Sequence, residues 1–390
     1  MISRSILPVL ALLLVAALPA RAEAPPLTVF PFWQAEPRDR NNQMVLRGAV
    51  VLADGGLAVL LSSASTETMV FYRTDAGGRT LWRREMSGSP SLVPEKLAAM
   101  PDGGFAACTL YAGVLRFSAD GDLLWQTELW TAAPPRMHCR KIVVLPDDSL
   151  IVGGNQIDGY SKSTAVLRLA IDGRIVWQLS IPYNYYTTAT DLLLFDDDEI
   201  LLTIDSDPLA ESRLHGSASD PETVYGRQWQ LRIGFDGAIR PLGAMERGLP
   251  FFGPGPHVVA MARRQDGNLI RFGIDAAPPG YDYNDITSYE LWTPDGDRRL
   301  LYRVNQALDN ETVRAFFYLP TVGGFDYVAY IGSQGNYWLA LSTKDGVISW
   351  RAPIIGVSSI EDDTVIGNGD RTLYFLIADS GTILKLELPR

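Results

Sequence analysis

A short motif recurs along this chain and constrains its fold more than any other feature. Asp-Gly is followed by Trp, four residues after the Gly, in "SADGDLLWQTEL" (118–129), "AIDGRIVWQLSI" (170–181) and "STKDGVISWRAPI" (342–354). A fourth copy is spaced as Asp75, Gly78 and Trp82, and copies without Trp occur at 236–237, 295–296 and 379–381. Self-similarity of this kind predicts a repeat architecture.

The residues around each motif indicate strands. Apolar residues alternate with polar ones, which is the period of a strand and not of a helix. Asp-Gly supplies the positive φ angles of a tight hairpin turn. A second hairpin pattern precedes each motif, as in "GAVVLADGGLAVLLSS" (48–63), so the chain contains seven units of four strands. This predicts an all-β fold, a seven-bladed β-propeller of four-stranded antiparallel blades, with eight blades as the alternative.

The two ends of the chain indicate how the ring closes. The seventh unit ends after "GTILKLELPR" with only three strands, and residues 25–33, "PPLTVFPFW", form a strand-like run before the first unit. We therefore expect the N-terminal strand to complete the last blade, which removes the exposed edges of an open array. We further expect each motif Trp to pack between neighbouring blades.

These units resemble the Asp-x-x-Gly-x-x-x-Trp repeat of the pyrroloquinoline-quinone-like propeller superfamily. That superfamily contains quinoprotein dehydrogenases and BamB-type envelope proteins, so the resemblance implies the fold and leaves the function open. The chain differs from the dehydrogenases because its two cysteines are 31 residues apart and because it has no haem-binding Cys-x-x-Cys-His sequence. It has no evident lipidated cysteine of the BamB type.

The N-terminus and the composition predict an exported protein. Arg4, an apolar run and Ala20-Arg21-Ala22 are typical of a signal peptide over 1–22, which leaves residues 23–390 as a single propeller domain. No later stretch is long enough to span a membrane, so no stable membrane anchor is expected. The net charge of −11 argues against nucleic acid as a partner. The expected location is the periplasm of a bacterium or the exterior.

The connections that do not repeat predict the functional face. In a propeller, the turns within both hairpins of a blade lie on one face, and the other connections lie on the opposite face, called here the long-loop face. The longest connections, including 205–226 and 275–287, belong to the second class. Long loops on a rigid scaffold carry binding residues. Their aromatic residues are candidates for contacting a protein or a glycan: Trp130, Tyr183, Tyr185, Tyr186, Tyr281 and Tyr283.

Two histidines and two cysteines complete the candidate set. His138 and His257 each lie nine residues before an Asp of a first hairpin turn, which predicts equivalent positions at the mouth of the central channel. Arg136 adds positive charge there. Cys108 and Cys139 fall in neighbouring units near the long-loop face, where one disulfide is plausible. No metal-ligand spacing or nucleophile motif is present, so neither a metal nor a cofactor is expected.

The sequence thus predicts an exported, non-enzymatic propeller that binds a protein or a glycan through its long-loop face. The alternative is an enzyme that acts at the channel mouth, either a small quinone-dependent dehydrogenase or a propeller lyase or hydrolase. An open pocket that gathers His138, His257 and nearby arginines would favour the enzyme.

Overall fold

Strands account for almost all regular structure in the computed structural model of the protein. The model describes residues 22–23, 26–37, 39, 44–63, 68–87, 94–109, 113–129, 136–158, 161–181, 187–206, 228–240, 257–263, 268–274, 288–292, 298–303, 317–320, 325–331, 337–343, 348–355, 365–367, 372–377 and 380–387. Within these residues no helix has the length and apolar character that crossing a membrane requires.

The strands assemble into sheets of four, called here blades, mostly from consecutive segments. Three strands precede the first blade: β1 (Ala22–Glu23), β2 (Leu27–Thr28) and β3 (Phe30–Gln34). Blade 1 contains β4 (Val45–Val51), β5 (Leu57–Ser63), β6 (Thr68–Thr74) and β7 (Thr80–Ser87). Blade 2 contains β8 (Pro94–Ala99), β9 (Phe105–Thr109), β10 (Gly113–Phe117) and β11 (Leu123–Thr127). Blade 3 contains β12 (Arg136–Val144), β13 (Leu150–Asp158), β14 (Ser161–Leu169) and β15 (Ile175–Ile181).

The second half of the chain continues the same order. Blade 4 contains β16 (Thr187–Asp196), β17 (Glu199–Ser206), β18 (Gln228–Gly234) and β19 (Ile239–Arg240). Blade 5 contains β20 (His257–Arg263), β21 (Leu269–Ile274), β22 (Ser288–Trp292) and β23 (Arg298–Arg303). Blade 6 contains β24 (Phe317–Pro320), β25 (Phe325–Ile331), β26 (Tyr337–Thr343) and β27 (Ile348–Ile355). Blade 7 begins with β28 (Val365–Gly367), β29 (Thr372–Ile377) and β30 (Thr382–Glu387). The described residues thus form seven antiparallel sheets, which agrees with the predicted propeller.

The N-terminal segment completes the ring. Strand β3 pairs antiparallel with β30 and becomes the outer strand of blade 7, as the sequence predicts. The first strand of blade 7, β28, also contacts β4 of blade 1, so the last blade meets the first. An additional pairing that the sequence does not predict places β1 and β2 parallel to β27, the outer strand of blade 6.

The turns confirm the expected role of the motif glycines in blades 1 to 4. Gly78, Gly121, Gly173 and Gly237 lie between the third and fourth strands with φ from 83 to 85°, a region that glycine adopts without strain. The seventh copy of the motif is different, because Ser380 and Gly381 precede β30, the third strand of blade 7. This turn therefore joins the second and third strands of blade 7, and the fourth strand comes from the N-terminus, as expected.

The joints between blades explain why Gly and Trp occur together. The indole N–H groups of Trp82, Trp125 and Trp177 donate to the carbonyls of Ala119, Ile171 and Phe235, over 2.9, 2.8 and 2.8 Å. Each acceptor lies in the outer turn of the next blade. A Cβ atom on Gly121, Gly173 or Gly237 would lie 2.9, 2.7 or 2.9 Å from the ring of the preceding blade's Trp. The Gly of one blade thus provides space for the Trp of the blade before it.

An arginine that the sequence reading overlooked adds to these joints. Arg residues lie five positions before the turn Gly in blades 1 to 4, at 73, 116, 168 and 232. Each forms an ion pair with an acidic residue at the first hairpin turn of its own blade: Asp54, Asp102, Asp147 and Glu199. Arg73 and Arg168 also donate to Ala119 O and Phe235 O, the same carbonyls that accept from Trp82 and Trp177.

Candidate functional site

The strand order assigns the long connections to the predicted face. Segment 207–227 joins the second and third strands of blade 4, and 275–287 joins those of blade 5. The connections 130–135, 182–186 and 241–256 join successive blades. The aromatic candidates Trp130, Tyr183, Tyr185, Tyr186, Tyr281 and Tyr283 all lie in these connections and outside the described residues.

The two histidines occupy equivalent register positions. His138 on β12 pairs with Asn155, and His257 on β20 pairs with Ile274, so each faces the residue 17 positions later in the chain. In both blades the next pair follows directly, and a bulge comes after it, at Arg140 and at Val259. Arg136 is the first residue of β12. The backbone therefore places His138, His257 and Arg136 near the long-loop ends of the first strands.

The bulge is a repeated property of the first strands. The register also shifts at Arg47 in β4, at Glu95 in β8 and at Thr190 in β16. First strands of successive blades contact each other from β4 through β20, as expected for the strands that surround a central channel. A bulge redirects its side chain, and bulges are frequent next to binding sites. Sequence reasoning missed these positions, since no residue type marks a bulge.

A polar row crosses blade 3 next to the predicted mouth. His138, Asn155 and Thr164 are consecutive cross-strand neighbours on β12, β13 and β14. Asn155 and Thr164 are buried, and His138 is half-buried. Polar groups are placed in such an interior only with hydrogen-bonding partners. The row therefore gives the long-loop end of blade 3 a polar interior.

The two cysteines join neighbouring blades. Cys108 on β9 and Cys139 on β12 form a disulfide with a Cα–Cα distance of 5.5 Å, and both side chains are fully buried. Their paired strands belong to blades 2 and 3. Cys139 directly follows His138 in β12, so the bond ties the strand that carries this histidine to blade 2.

Among the described residues, the most strongly raised pKa values occur at the closing joint. Burial and the hydrogen bond to Asp39 raise the pKa of Tyr72 far above its usual value. The hydrogen bonds with Asp39 raise the pKa of Arg83. Asp39 is almost fully buried and links the segment after β3 to blade 1. Because these three groups bind one another, their shifted pKa values indicate a structural role and no catalytic site.

Two further features bear on the candidate site: groups of metal-binding side chains and the positions of Arg136 and His257. Among the described residues, no group of three or more His, Cys, Asp or Glu side chains could hold a metal ion. For Arg136 and His257 the structure describes the backbone, at the first residues of β12 and β20.

Comparisons with known proteins identify one family from the sequence and one fold from the structure. A family model described as "Outer membrane protein assembly factor BamB" matches residues 31–230. No curated protein matches the chain in sequence.

Two solved structures illustrate the structural similarity. The β-propeller domain of the Trilobed protease from Pyrococcus furiosus has a TM-score of 0.53 and 10% sequence identity, covering 89% of this chain and 96% of that one. BamB from Moraxella catarrhalis has a TM-score of 0.44 and 14% identity, covering 87% and 96%. The first of these supports the propeller fold and nothing more specific.

Proposed function

Because the chain belongs to the family described as outer membrane protein assembly factor BamB, we propose that it binds a protein partner in the bacterial envelope and acts as a scaffold without catalysis. The observation that carries this proposal is the family match over residues 31–230, a stretch that contains blades 1 to 3 and most of blade 4.

The proposed partner site is the long-loop face. Three features support it: the long connections join strands on that side, the aromatic candidates lie within those connections, and blade 3 has a polar row and a disulfide at their base. Tyr and Trp are the residues that contribute most to protein interfaces. His138, His257 and Arg136 would contribute polar contacts at the centre of the face.

The proposed location is the periplasm, reached through a cleaved signal peptide at 1–22. The buried disulfide between blades supports this location, since disulfides form and persist outside the reducing cytosol. Intact-mass measurement of the protein recovered from cells tests it. A mature chain that begins at Glu23 is the expected result, and an intact N-terminus would contradict export by cleavage.

Affinity capture from the native envelope tests the proposed face. Segments 207–227 and 275–287 are each replaced by a short Gly-Ser linker, and the matched control replaces the tight turn 197–198 on the opposite face. We expect the two long-loop variants to lose captured partners that the control retains. Unchanged capture by all variants, with circular dichroism showing that each is folded, would contradict the proposal.

A further inference from the structure

The outer strand of each blade is an edge that must be protected. Its outer side carries backbone N–H and C=O groups that can pair with another chain, and proteins block such edges with charges, prolines or covering segments. Most outer strands described here have such protection. Charged residues lie in β7 and β23 and at the end of β19, prolines lie in β3 and β27, and β27 is also covered by β1 and β2.

Strand β15 of blade 3 lacks every one of these protections. Its sequence, Ile-Val-Trp-Gln-Leu-Ser-Ile, contains no charge and no proline over seven residues. Within the described part of the chain, no strand pairs with its outer side. Ile175 and Val176 are 41% and 45% exposed, and Ile171 in the preceding turn is 59% exposed. The other uncharged outer strand, β11, has five residues and lies between exposed Asp122 and Glu128, whereas the longer β15 follows exposed Arg174 and is followed in the sequence by Pro182.

In blade 6 the outer strand, β27, pairs with additional strands on its outer side. In β1 and β2, Glu23 pairs with Arg351 and Leu27 pairs with Ile354, both in parallel register. Ile354 is 5% exposed, and Val29, which follows β2, is 8% exposed. Trp350 and Trp177 hold the same position in the motif, four residues after Gly. The edge of β15 is thus the counterpart of an edge that the chain itself covers.

We propose that the outer edge of β15 binds an extended segment of a partner polypeptide as an additional strand. The side chains of Trp177 and Leu179 pack toward blade 4, so Val176, Gln178 and Ser180 form the exposed side of the strand. Cross-strand neighbours on one side of a sheet determine pairing preferences. The fitting segment is uncharged and alternates apolar with small polar residues, so that its polar side chains lie beside Val176, Gln178 and Ser180 and its apolar side chains lie beside Trp177 and Leu179.

A separate polypeptide fits this edge better than a second copy of the chain. Each copy has a net charge of −11, so two copies repel each other. A strand of seven residues is about 23 Å long, which is short for the only contact in a stable dimer. The outer edge of β15 is a different surface from the long-loop face. The test of this proposal is therefore independent of the test of the proposed function.

Binding of a defined peptide tests the proposal. The probe is a labelled nine-residue peptide of alternating valine and threonine with uncharged ends, and its control is the same peptide with alternate backbone nitrogens methylated. Fluorescence anisotropy measures affinity, and hydrogen exchange reports amide protection along the chain. We expect the probe to bind, the methylated peptide to bind at least tenfold more weakly, and slower exchange at 175–181 but not at 80–87.

Two matched variants locate the site. Val176→Lys and Gln178→Lys introduce the missing charge, and Gln34→Lys places the same charge on an exposed glutamine of β3. We expect the first two to weaken probe binding at least tenfold and the third to change it less than twofold. Equal effects of all three, equal binding of the methylated peptide, or unchanged exchange at 175–181 would overturn the proposal. Sedimentation showing a dimer that Val176→Lys dissociates would overturn it in favour of a second copy.

Discussion

Two kinds of joint connect neighbouring blades: the joints between successive blades from blade 1 to blade 4, and the joint that closes the ring. Both pack a Trp side chain against the next blade, but different residues surround it. In the repeating joints a half-buried Trp donates to a backbone carbonyl and its ring covers a glycine of the next blade. At the closing joint Trp33 is 5% exposed and donates to the hydroxyl of Thr80 over 3.1 Å. Its ring meets Tyr72 edge to face at a centroid distance of 4.9 Å.

The closing joint also contains the Arg83–Asp39 ion pair, in which both side chains are buried, whereas the acidic partner is about half exposed in the arginine pairs of blades 1 to 3. Asp39 accepts two hydrogen bonds from Arg83, over 3.1 and 2.7 Å, and one from the hydroxyl of Tyr72. At Gly78 the neighbouring backbone carbonyl of Phe32 lies where a Trp ring covers the equivalent glycines. Closure pairs β3 with β30, more than 300 residues later in the chain, and the same N-terminal segment makes its additional contacts with blade 1. The repeating joints need only residues of successive blades.

The largest effect is expected from Asp39→Asn. The substitution leaves the guanidinium of Arg83 in a mostly buried position without its main counter-charge, which costs about 3–5 kcal/mol in the free energy of unfolding. Urea denaturation followed by tryptophan fluorescence measures it. The control is Arg84→Ala in the same strand, which breaks an exposed pair with Asp122 and should cost less than about 1 kcal/mol. Similar losses in both variants would show that the closing ion pair has no special importance.

Trp33→Ala and Trp125→Ala compare the two kinds of joint directly. Removing a buried Trp costs about 3–5 kcal/mol, so we expect that loss for Trp33→Ala. We expect about 2 kcal/mol for Trp125→Ala, because its ring is only half-buried and less apolar contact disappears. Both losses come from the same denaturation experiment. If Trp125→Ala were the more damaging change, the repeating joints would dominate the stability of the ring.

The disulfide strengthens one repeating joint. Cys108→Ala combined with Cys139→Ala should lower the free energy of unfolding by about 3 kcal/mol, because the bond restricts the unfolded chain. Denaturation with and without reductant provides the check: reductant should lower the midpoint of the wild type and leave the double variant unchanged. Reductant sensitivity in the double variant would mean that some other process causes the shift.

The smallest effect is expected on the pH dependence of protein stability, through the arginine ion pairs at the first hairpin turns. Burial alone would raise the pKa of Asp102, but hydrogen bonds from the backbone of Gly104 and from Arg116 lower it below the usual value. A folded-state pKa below the unfolded value stabilises the protein above about pH 4. That contribution disappears as the pH falls through the folded-state pKa.

The matching experiment measures thermal stability between pH 6 and pH 2. Asp102→Asn should lose less thermal stability than the wild type as the pH falls. Above pH 5 the dependence of thermal stability on pH should be unchanged. Asp120→Asn, at an exposed turn of the same blade, is the control. An unchanged acid profile in Asp102→Asn would mean that this pair contributes nothing to the pH dependence.

The sequence predicts the blades well because their signals are local. Glycine at a positive φ, alternation of apolar residues and the fixed spacing of Trp each act within about ten residues. The missing strand of the last unit also predicts that β3 closes the ring. The arginines of blades 1 to 4 were visible as a fixed spacing before Gly and were overlooked. A turn motif does not show which two strands it joins, so the different position of the copy at 379–381 in its blade appears only in the structure.

The candidate site was predictable only in part. Counting residues from the hairpin turns places His138 and His257 in equivalent positions, and the register of β12 and β20 agrees. The bulges and the pairing of β1 and β2 with β27 have no sequence signal, since backbone hydrogen bonds form with almost any residue.

The sequence by itself determined the repeating unit, predicted seven copies of it and identified the motif glycines as turn residues, because these signals recur at a fixed spacing. Only the tertiary structure decided which Trp donates to which carbonyl, how Asp39 stabilises the closing joint, and which outer strands have no described strand paired to their outer edge. Those features depend on residues of different strands and blades, which become neighbours only when the blades pack against one another.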